Sequence, residues 1–141
     1  MALRASELQI EQVFEAVLVD DLRRTQIVQY AGASGDYNPL HTDHVFAVKA
    51  AHYPRGTFAH GMLTMGMTGR LLTDLVGVEQ LTKYGGRFTG QVWPGDTLTA
   101  RATVEALRED AGQHFVDLTV TTTNQDGSVV FSGQATARID P

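Results

Sequence analysis

The 141-residue sequence contains no cysteine, which excludes disulfides, thiolate nucleophiles and zinc sites with cysteine ligands. It is also poor in positive charge: 11 Lys and Arg against 16 Asp and Glu give a net charge of −5, which argues against a nucleic-acid surface. No stretch approaches the roughly 20 apolar residues that cross a bilayer, and the N-terminus lacks the apolar run of a secretory signal. We therefore expect a soluble, cytoplasmic protein with no nucleic-acid or membrane partner.

The length and the hydrophobic content of 43% predict one domain, residues 1–141, that buries its core without a structural metal. No repeat of fixed period and no low-complexity tail is present.

The N-terminal third predicts a strand followed by two helices. Residues 13–19 are rich in β-prone side chains, and Asp20 and Asp21 can cap a helix that runs to about Gly32. Asp43 can cap a second, short helix. The inner face of the first helix is predicted to consist of Leu22, Ile27, Val28 and Ala31.

The stretch Gly61–Val76 predicts a buried helix, because it is too apolar for a surface helix and too short to span a membrane. Each of its interior glycines, Gly66 and Gly69, weakens a helix by roughly 1 kcal/mol relative to Ala. We interpret this cost as a sign that another backbone or a ligand approaches the helix closely there.

The C-terminal half follows the period of two that is typical of strands. Turn sequences at residues 93–96, 109–112 and 124–127 separate these strands as in a meander. We predict an α+β fold in which a curved antiparallel sheet wraps around one long apolar helix. The inward positions are predicted to be Leu98, Ala100, Ala102 and Val104, then Val116, Leu118 and Val120, then Val129, Phe131, Gly133 and Ala135.

The most informative segment for function is residues 35–41, Gly-Asp-Tyr-Asn-Pro-Leu-His. Its Gly, Asn and Pro cannot continue a helix, so Asp36 and His41 lie on one irregular turn. A carboxylate and an imidazole that reach one water or one C–H can act as general base and general acid near neutral pH. By composition alone such a stretch is an ordinary structural turn; its order, together with His41, favours the catalytic interpretation.

The motifs resemble those of the MaoC-like, R-specific enoyl-thioester hydratases. The resemblance rests on residues 30–41 with Ala47, on Phe58-Ala59-His60-Gly61-Met62-Leu63, and on Arg87-Phe88 with residues 92–98. These stretches stand in the family's order and spacing from about residue 30 to residue 100.

The resemblance implies a single hot-dog fold and a reversible syn addition of water to a trans-2-enoyl thioester, which yields a (3R)-3-hydroxyacyl thioester. Asp36 and His41 would activate the water, and the Gly61 N–H would form the oxyanion hole at a helix N-terminus. Asn38 and Gly35 would support the turn. Which member of the dyad carries the proton stays open.

Other interpretations remain at this point. His60 is interpreted as structural, and His44, His52 and His114 receive no role. Asp36, His41 and His60 could form a metal triad, but the implied chemistry needs neither a metal nor another cofactor. A thioesterase would need a carboxylate on the central helix, where only Asp74 is available.

The expected partners are an acyl thioester, carried on coenzyme A or acyl carrier protein, and a second copy of the chain. A single hot-dog sheet leaves an open edge, which edge-to-edge pairing into a homodimer would cover. A subunit of a heteromeric dehydratase is a further alternative. The acyl chain length and the carrier are not predicted.

Overall fold

A computed structural model describes residues 3–141 of the chain. Its principal elements are β1 (Val13–Val19), α1 (Arg24–Ser34), α2 (Gly61–Val76), β2 (Leu81–Phe88), β3 (Leu98–Asp110), β4 (Gln113–Thr123) and β5 (Val129–Ile139). A short 3-10 turn, Ala5–Glu7, precedes β1, and a π-helical turn, Phe46–Ala50, lies between α1 and α2. Within residues 3–141, no helix is long and apolar enough to cross a membrane.

The five strands form one antiparallel sheet in the order β1-β3-β4-β5-β2. The predicted meander is its central part, and the β3–β4 hairpin turns at Ala111 and Gly112, which both have positive φ. Such a pair of left-handed residues matches the twist of a tight hairpin. The predicted inward positions of β3 and β4 are all buried, each at most 2% exposed. The predicted α+β hot-dog architecture is therefore confirmed.

The alternation that was predicted for β5 is wrong at its first residue. Val129 is 42% exposed, whereas Val130 and Phe131 are buried. The register against β4 shifts between Thr122 and Thr123, and such a bulge sets two neighbouring residues on the same side.

The edge strand β2 carries no clear alternation, because Gly85 and Gly86 occupy its middle. Close packing across the β2–β5 pair requires glycine at Gly86 of β2 and at Gly133 of β5. The backbone of Gly133 lies directly against the Gly85 carbonyl, and a Cβ at Gly86 would collide with the Phe131 ring. Contacts of this kind between strands are not visible in a hydrophobic pattern.

Helix α2 has the bounds that were predicted and packs across the inner face of the sheet. Six of its side chains are buried: Leu63, Thr64, Thr68, Leu71, Leu72 and Val76. The prediction of a buried helix is wrong for its other face, where Met62 is 55% exposed and Gly66 is open. A close approach is found at Gly69, where the Tyr84 side chain, and not another backbone, packs against the helix. Within residues 3–141, nothing lies within 4 Å of a Cβ placed at Gly66.

Helix α1 begins and ends later than predicted. It has no side-chain cap at its N-terminus, because Asp20 instead accepts a 2.7 Å hydrogen bond from the Thr97 hydroxyl and Asp21 has a φ of 55°. The helix buries Ile27 and Ala31 as predicted, whereas Val28 is 53% exposed. The predicted cap at Asp43 is confirmed by a 3.0 Å hydrogen bond from the Phe46 N–H.

Candidate active site

The turn that carries Asp36 is placed by the end of helix α1. Gly35 adopts the left-handed conformation, with a φ of 76°, and its N–H donates to the Ala31 carbonyl at 3.0 Å. A glycine takes this conformation without the steric cost that a Cβ would add. The chain therefore leaves the helix sharply, and Asp36 begins a new turn beside the N-terminus of α2.

Two side chains of this turn accept hydrogen bonds from backbone N–H groups of the same turn. The Asn38 N–H donates to Asp36 Oδ1 at 3.2 Å, and the Leu40 N–H donates to Asn38 Oδ1 at 3.0 Å. These are successive Asx turns, the local bonding that favours Asp and Asn in irregular segments. Asn38 thus supports the backbone between Asp36 and His41, which is the structural part of the role predicted for it.

His41 is oriented by a backbone atom of the segment before α2. Its Nδ1 lies 2.7 Å from the Phe58 carbonyl oxygen, which can only accept, so Nδ1 carries the hydrogen. In the neutral ring the hydrogen is therefore absent from Nε2, which is left as a proton acceptor. The Phe58 ring packs edge-on against the imidazole with 5.3 Å between centroids.

His60 lies directly beside the dyad and is only 2% exposed. Its Nε2 donates to the backbone carbonyl of Asp36 at 3.1 Å. Its ring stacks on His41 with 3.9 Å between centroids and an interplanar angle of 29°, and Tyr30 packs edge-on against it. Burial lowers the pKa of His60 below its ordinary value of 6.5, an effect that outweighs the bond to Asp36.

The fold brings Asp36, His41 and His60 together, with one polar side-chain atom from each lying within 4.8 Å of the others. A metal bound by both histidines would require their in-plane lone pairs to converge on one point. The two rings are instead stacked face to face, 29° from parallel, which is not the arrangement of two rings that point edge-on at one ion. This arrangement suits hydrogen bonding to a small polar molecule better than chelation.

Gly61, the first residue of α2, follows His60 directly in the chain. Within residues 3–141, its N–H donates to no acceptor, as is usual for the first turn of a helix. The Phe88 ring covers its Cα so closely that a Cβ at this position would lie 2.9 Å from two ring carbons. The absence of a side chain at Gly61 is thus required by Phe88 as well as by any ligand that approaches the amide.

A cavity of about 170 Å³ lies against Gly61, between the start of α2 and the end of β2. Thr64 and the rings of Phe58 and Phe88 form part of its wall. Asp36 and His41 do not line it, although Phe58 does, and the Phe58 ring contacts His41. A larger groove of about 570 Å³ lies on the outer side of the sheet, among charged side chains such as Lys83 and Asp117, and contains none of the motif residues.

The fold brings Asp36, His41 and His60 together and places Gly61 next in the chain, at the start of α2. It also shows three contacts that the sequence does not reveal, those of the Phe58 carbonyl, the His60 ring and the Phe88 ring. The first has no sequence signal, because every residue has a carbonyl. His60 and Phe88 stand within the quoted motifs, but only their contacts across the fold reveal what they touch.

Comparisons with known proteins point to one family. A family model described as a MaoC-like domain matches residues 6–126. The (R)-specific enoyl-CoA hydratase of Aeromonas caviae is 31% identical over 144 residues, with 97% of this chain and 99% of that protein covered. The enoyl-CoA hydratase ChsH3 of Mycobacterium tuberculosis is 38% identical over 102 residues, which cover 70% of this chain.

The chain spans about a third or less of the length of several curated relatives, and it covers 32% of ChsH3. Among solved structures, the (R)-hydratase from A. caviae involved in PHA biosynthesis superposes with a TM-score of 0.82. The two chains are 27% identical, and the superposition covers 97% of this chain and 100% of the A. caviae chain. By sequence and by fold, the chain belongs to the MaoC-like domain family.

Proposed function

We propose that the protein is a hydro-lyase that adds water reversibly to trans-2-enoyl thioesters and forms (3R)-3-hydroxyacyl thioesters. The observation that carries this proposal is the pair of proton acceptors at the end of α1. The carboxylate of Asp36 lies beside His41, whose Nε2 is freed for proton transfer by the bond from Nδ1 to Phe58. Membership of the MaoC-like family supports the same reaction class.

In the forward direction, Asp36 and His41 hold one water molecule by accepting its hydrogens. The water oxygen attacks Cβ of the enoyl group as one of the two residues takes a proton. The electron pair of the double bond moves through Cα to the thioester oxygen. A proton is then returned to Cα from the same side, so the addition is syn and no separate acid is needed.

The negative charge on the thioester oxygen is received by the N-terminus of α2. The free N–H of Gly61 points from a helix end with a partial positive charge, and it is in place before the reaction starts. Removing one such donor typically slows the chemical step by about 10² to 10³ fold.

The substrate carrier is coenzyme A or acyl carrier protein, and no metal or redox cofactor takes part. Activity that survives prolonged treatment with a chelator is expected, and activity that returns only with added metal would contradict this part of the proposal.

The working form is a homodimer. β2 is an edge strand whose outer side has no partner within residues 3–141. If the β2 strands of two copies paired across a two-fold axis, the two sheets would become one continuous sheet, and the open β2 edge of each copy would be covered.

The test of the reaction is hydration of crotonyl-CoA, followed as loss of the enoyl absorbance. We expect turnover by the wild-type chain and a loss of at least about 10² fold in Asp36→Asn and in His41→Ala. The matched controls are Asp126→Asn, in the β4–β5 turn, and His114→Ala, in β4, which should keep the wild-type rate. Full rates in Asp36→Asn and His41→Ala would refute the assignment of the dyad.

A thioesterase is the competing activity, and the same samples distinguish it. Release of free coenzyme A, detected with a thiol reagent, would favour hydrolysis. The fold offers it little support, because Asp74, the carboxylate of α2, is exposed at the far end of the helix and paired with Arg70 at 3.7 Å.

A further inference from the structure

His60 is buried and touches both members of the proposed dyad. Its Nε2–H donates to the Asp36 backbone, and its ring face lies on the ring of His41. Its own backbone precedes the first residue of α2, so its position is set by that helix. Tyr30 of α1 packs against its edge. A single side chain thus connects α1, the turn and α2.

We propose that His60 is a positioning residue of the hydration reaction, which holds the Asp36 backbone by a hydrogen bond and the His41 ring by stacking. This inference rests on the function proposed above. The residue itself transfers no proton. It keeps the carboxylate and the imidazole aimed at one water, and a displacement of about 1 Å in such a pair can cost about 10² fold in rate.

The bonding of the ring argues against a purely stabilising role. Since Nε2 carries the hydrogen, Nδ1 is an acceptor, and within residues 3–141 it is buried without a hydrogen-bond partner. A buried polar atom left in this state destabilises the folded protein. An apolar side chain of similar size would avoid that penalty but could not hold the Asp36 carbonyl.

The charge state of the ring agrees with this role. The titratable groups that face it are His41, Asp36 and, edge-on from α1, Tyr30, and burial keeps the pKa of His60 low, so the ring is neutral near neutral pH. A neutral neighbour leaves His41 free to take up the proton. Protonated His60, stacked at 3.9 Å, would oppose that step.

Two variants separate the hydrogen bond from packing. His60→Gln places an amide N–H close to the former Nε2 and keeps a donor for the Asp36 carbonyl; His60→Leu fills the space without a donor. We expect His60→Leu to lose about 10² fold in kcat with KM within a factor of about two, and His60→Gln to recover at least about tenfold of that loss. His60→Leu should be no less stable to denaturant than the wild type, because it removes the unpaired Nδ1.

Amide hydrogen exchange gives a readout that does not need turnover. In His60→Leu the N–H groups of Asn38 and His41 should exchange about tenfold faster than in the wild type and in His60→Gln. The control is His114→Leu, which should change neither exchange nor rate.

The outcomes are distinct. An inactive wild type refutes the proposed function, and the exchange comparison still tests the positioning role. An active wild type with equal kcat and equal exchange in all variants overturns the role of His60 alone. Unfolding of His60→Leu, or equal damage in the Leu and Gln variants, would show that the residue acts through packing and would overturn it too.

Discussion

At the dyad, backbone atoms decide what the side chains can do. The Phe58 carbonyl selects the tautomer of His41, and the Asp36 carbonyl selects that of His60. Neither partner can be identified from the sequence, although the two residues of the dyad can. The identity of Gly61 also has a cause that the sequence hides, since its Cα lies beneath the ring of Phe88.

Gly61→Ala should therefore lower stability through Phe88 and lower the rate through the N–H beside the new methyl. The added methyl meets the ring at 2.9 Å, and Phe88, which is 48% exposed, must move away. We expect a loss of at least about tenfold in kcat/KM, because the methyl crowds the N–H that we propose receives the thioester oxygen. Adding Phe88→Ala should restore stability to denaturant but not the rate. A double variant with the wild-type rate would contradict the assignment of the oxyanion hole.

The buried His60 predicts a loss of stability in acid. Its pKa is lowered in the folded state, so below about pH 6.5 the unfolded chain binds more protons than the folded one. Stability is complete above that pH and decreases as the pH falls towards the folded-state pKa. Denaturant titrations at about pH 7.5 and about pH 5.5 should show a smaller decrease for His60→Gln than for the wild type. Equal decreases would contradict the prediction.

At the scale of elements, the glycines of α2 differ although their sequence settings are alike. Gly69 packs against Tyr84, whose hydroxyl donates to the Met65 carbonyl at 2.7 Å. Burial raises the pKa of Tyr84 to about 12, so this hydroxyl stays protonated and remains a donor. Gly66 has no neighbour within 4 Å. A pattern of helix-weakening residues thus predicts that packing matters somewhere on α2, and only the fold shows which glycine it concerns.

Gly66→Ala should raise the free energy of unfolding by up to about 1 kcal/mol, because alanine is the better helix former. Gly69→Ala should gain less or lose stability, since its Cβ would lie 3.1 Å from the Tyr84 ring. Denaturant titration of the two variants checks this order. The reverse order would mean that something covers Gly66.

The sheet carries an ion pair that links its three central strands. Arg108 donates to Asp117 at 2.8 Å, and the Thr136 hydroxyl donates to the same carboxylate at 2.7 Å. The bond from Arg108 holds the pKa of Asp117 below its ordinary value. Asp117→Asn should cost about 1 kcal/mol at neutral pH. The carboxylate's contribution is present above its unfolded pKa and lost as the pH falls through the folded one, so in titrations across that range the variant and the wild type should converge.

At the scale of the molecule, the free edge of β2 makes assembly testable. Sedimentation equilibrium should give twice the chain mass of 15.3 kDa. Gly85 lies in the middle of β2, where a Cβ would have no neighbour within 4 Å, so the single chain tolerates a side chain there. Gly85→Asp should dissociate the dimer by facing two carboxylates across the two-fold axis, while Gly85→Ala should not. A dimer that persists in Gly85→Asp would place the interface elsewhere.

The sequence by itself determined the elements whose signals are local. The bounds of α2, the three strands of the meander, the cap at Asp43 and the Asp36–His41 motif follow from periodicity, turn residues and the order of a short segment. Tertiary structure decided four further features: the true start of α1, the strand β2, the shift in strand register at Val130 and the exposed face of α2. Each of these depends on a contact between distant residues, such as Asp20 with Thr97 or Gly85 with Gly133. The same reason holds at the site, where the ring of His60 and the carbonyl of Phe58 gain their meaning only when the start of α2 packs against the turn after α1.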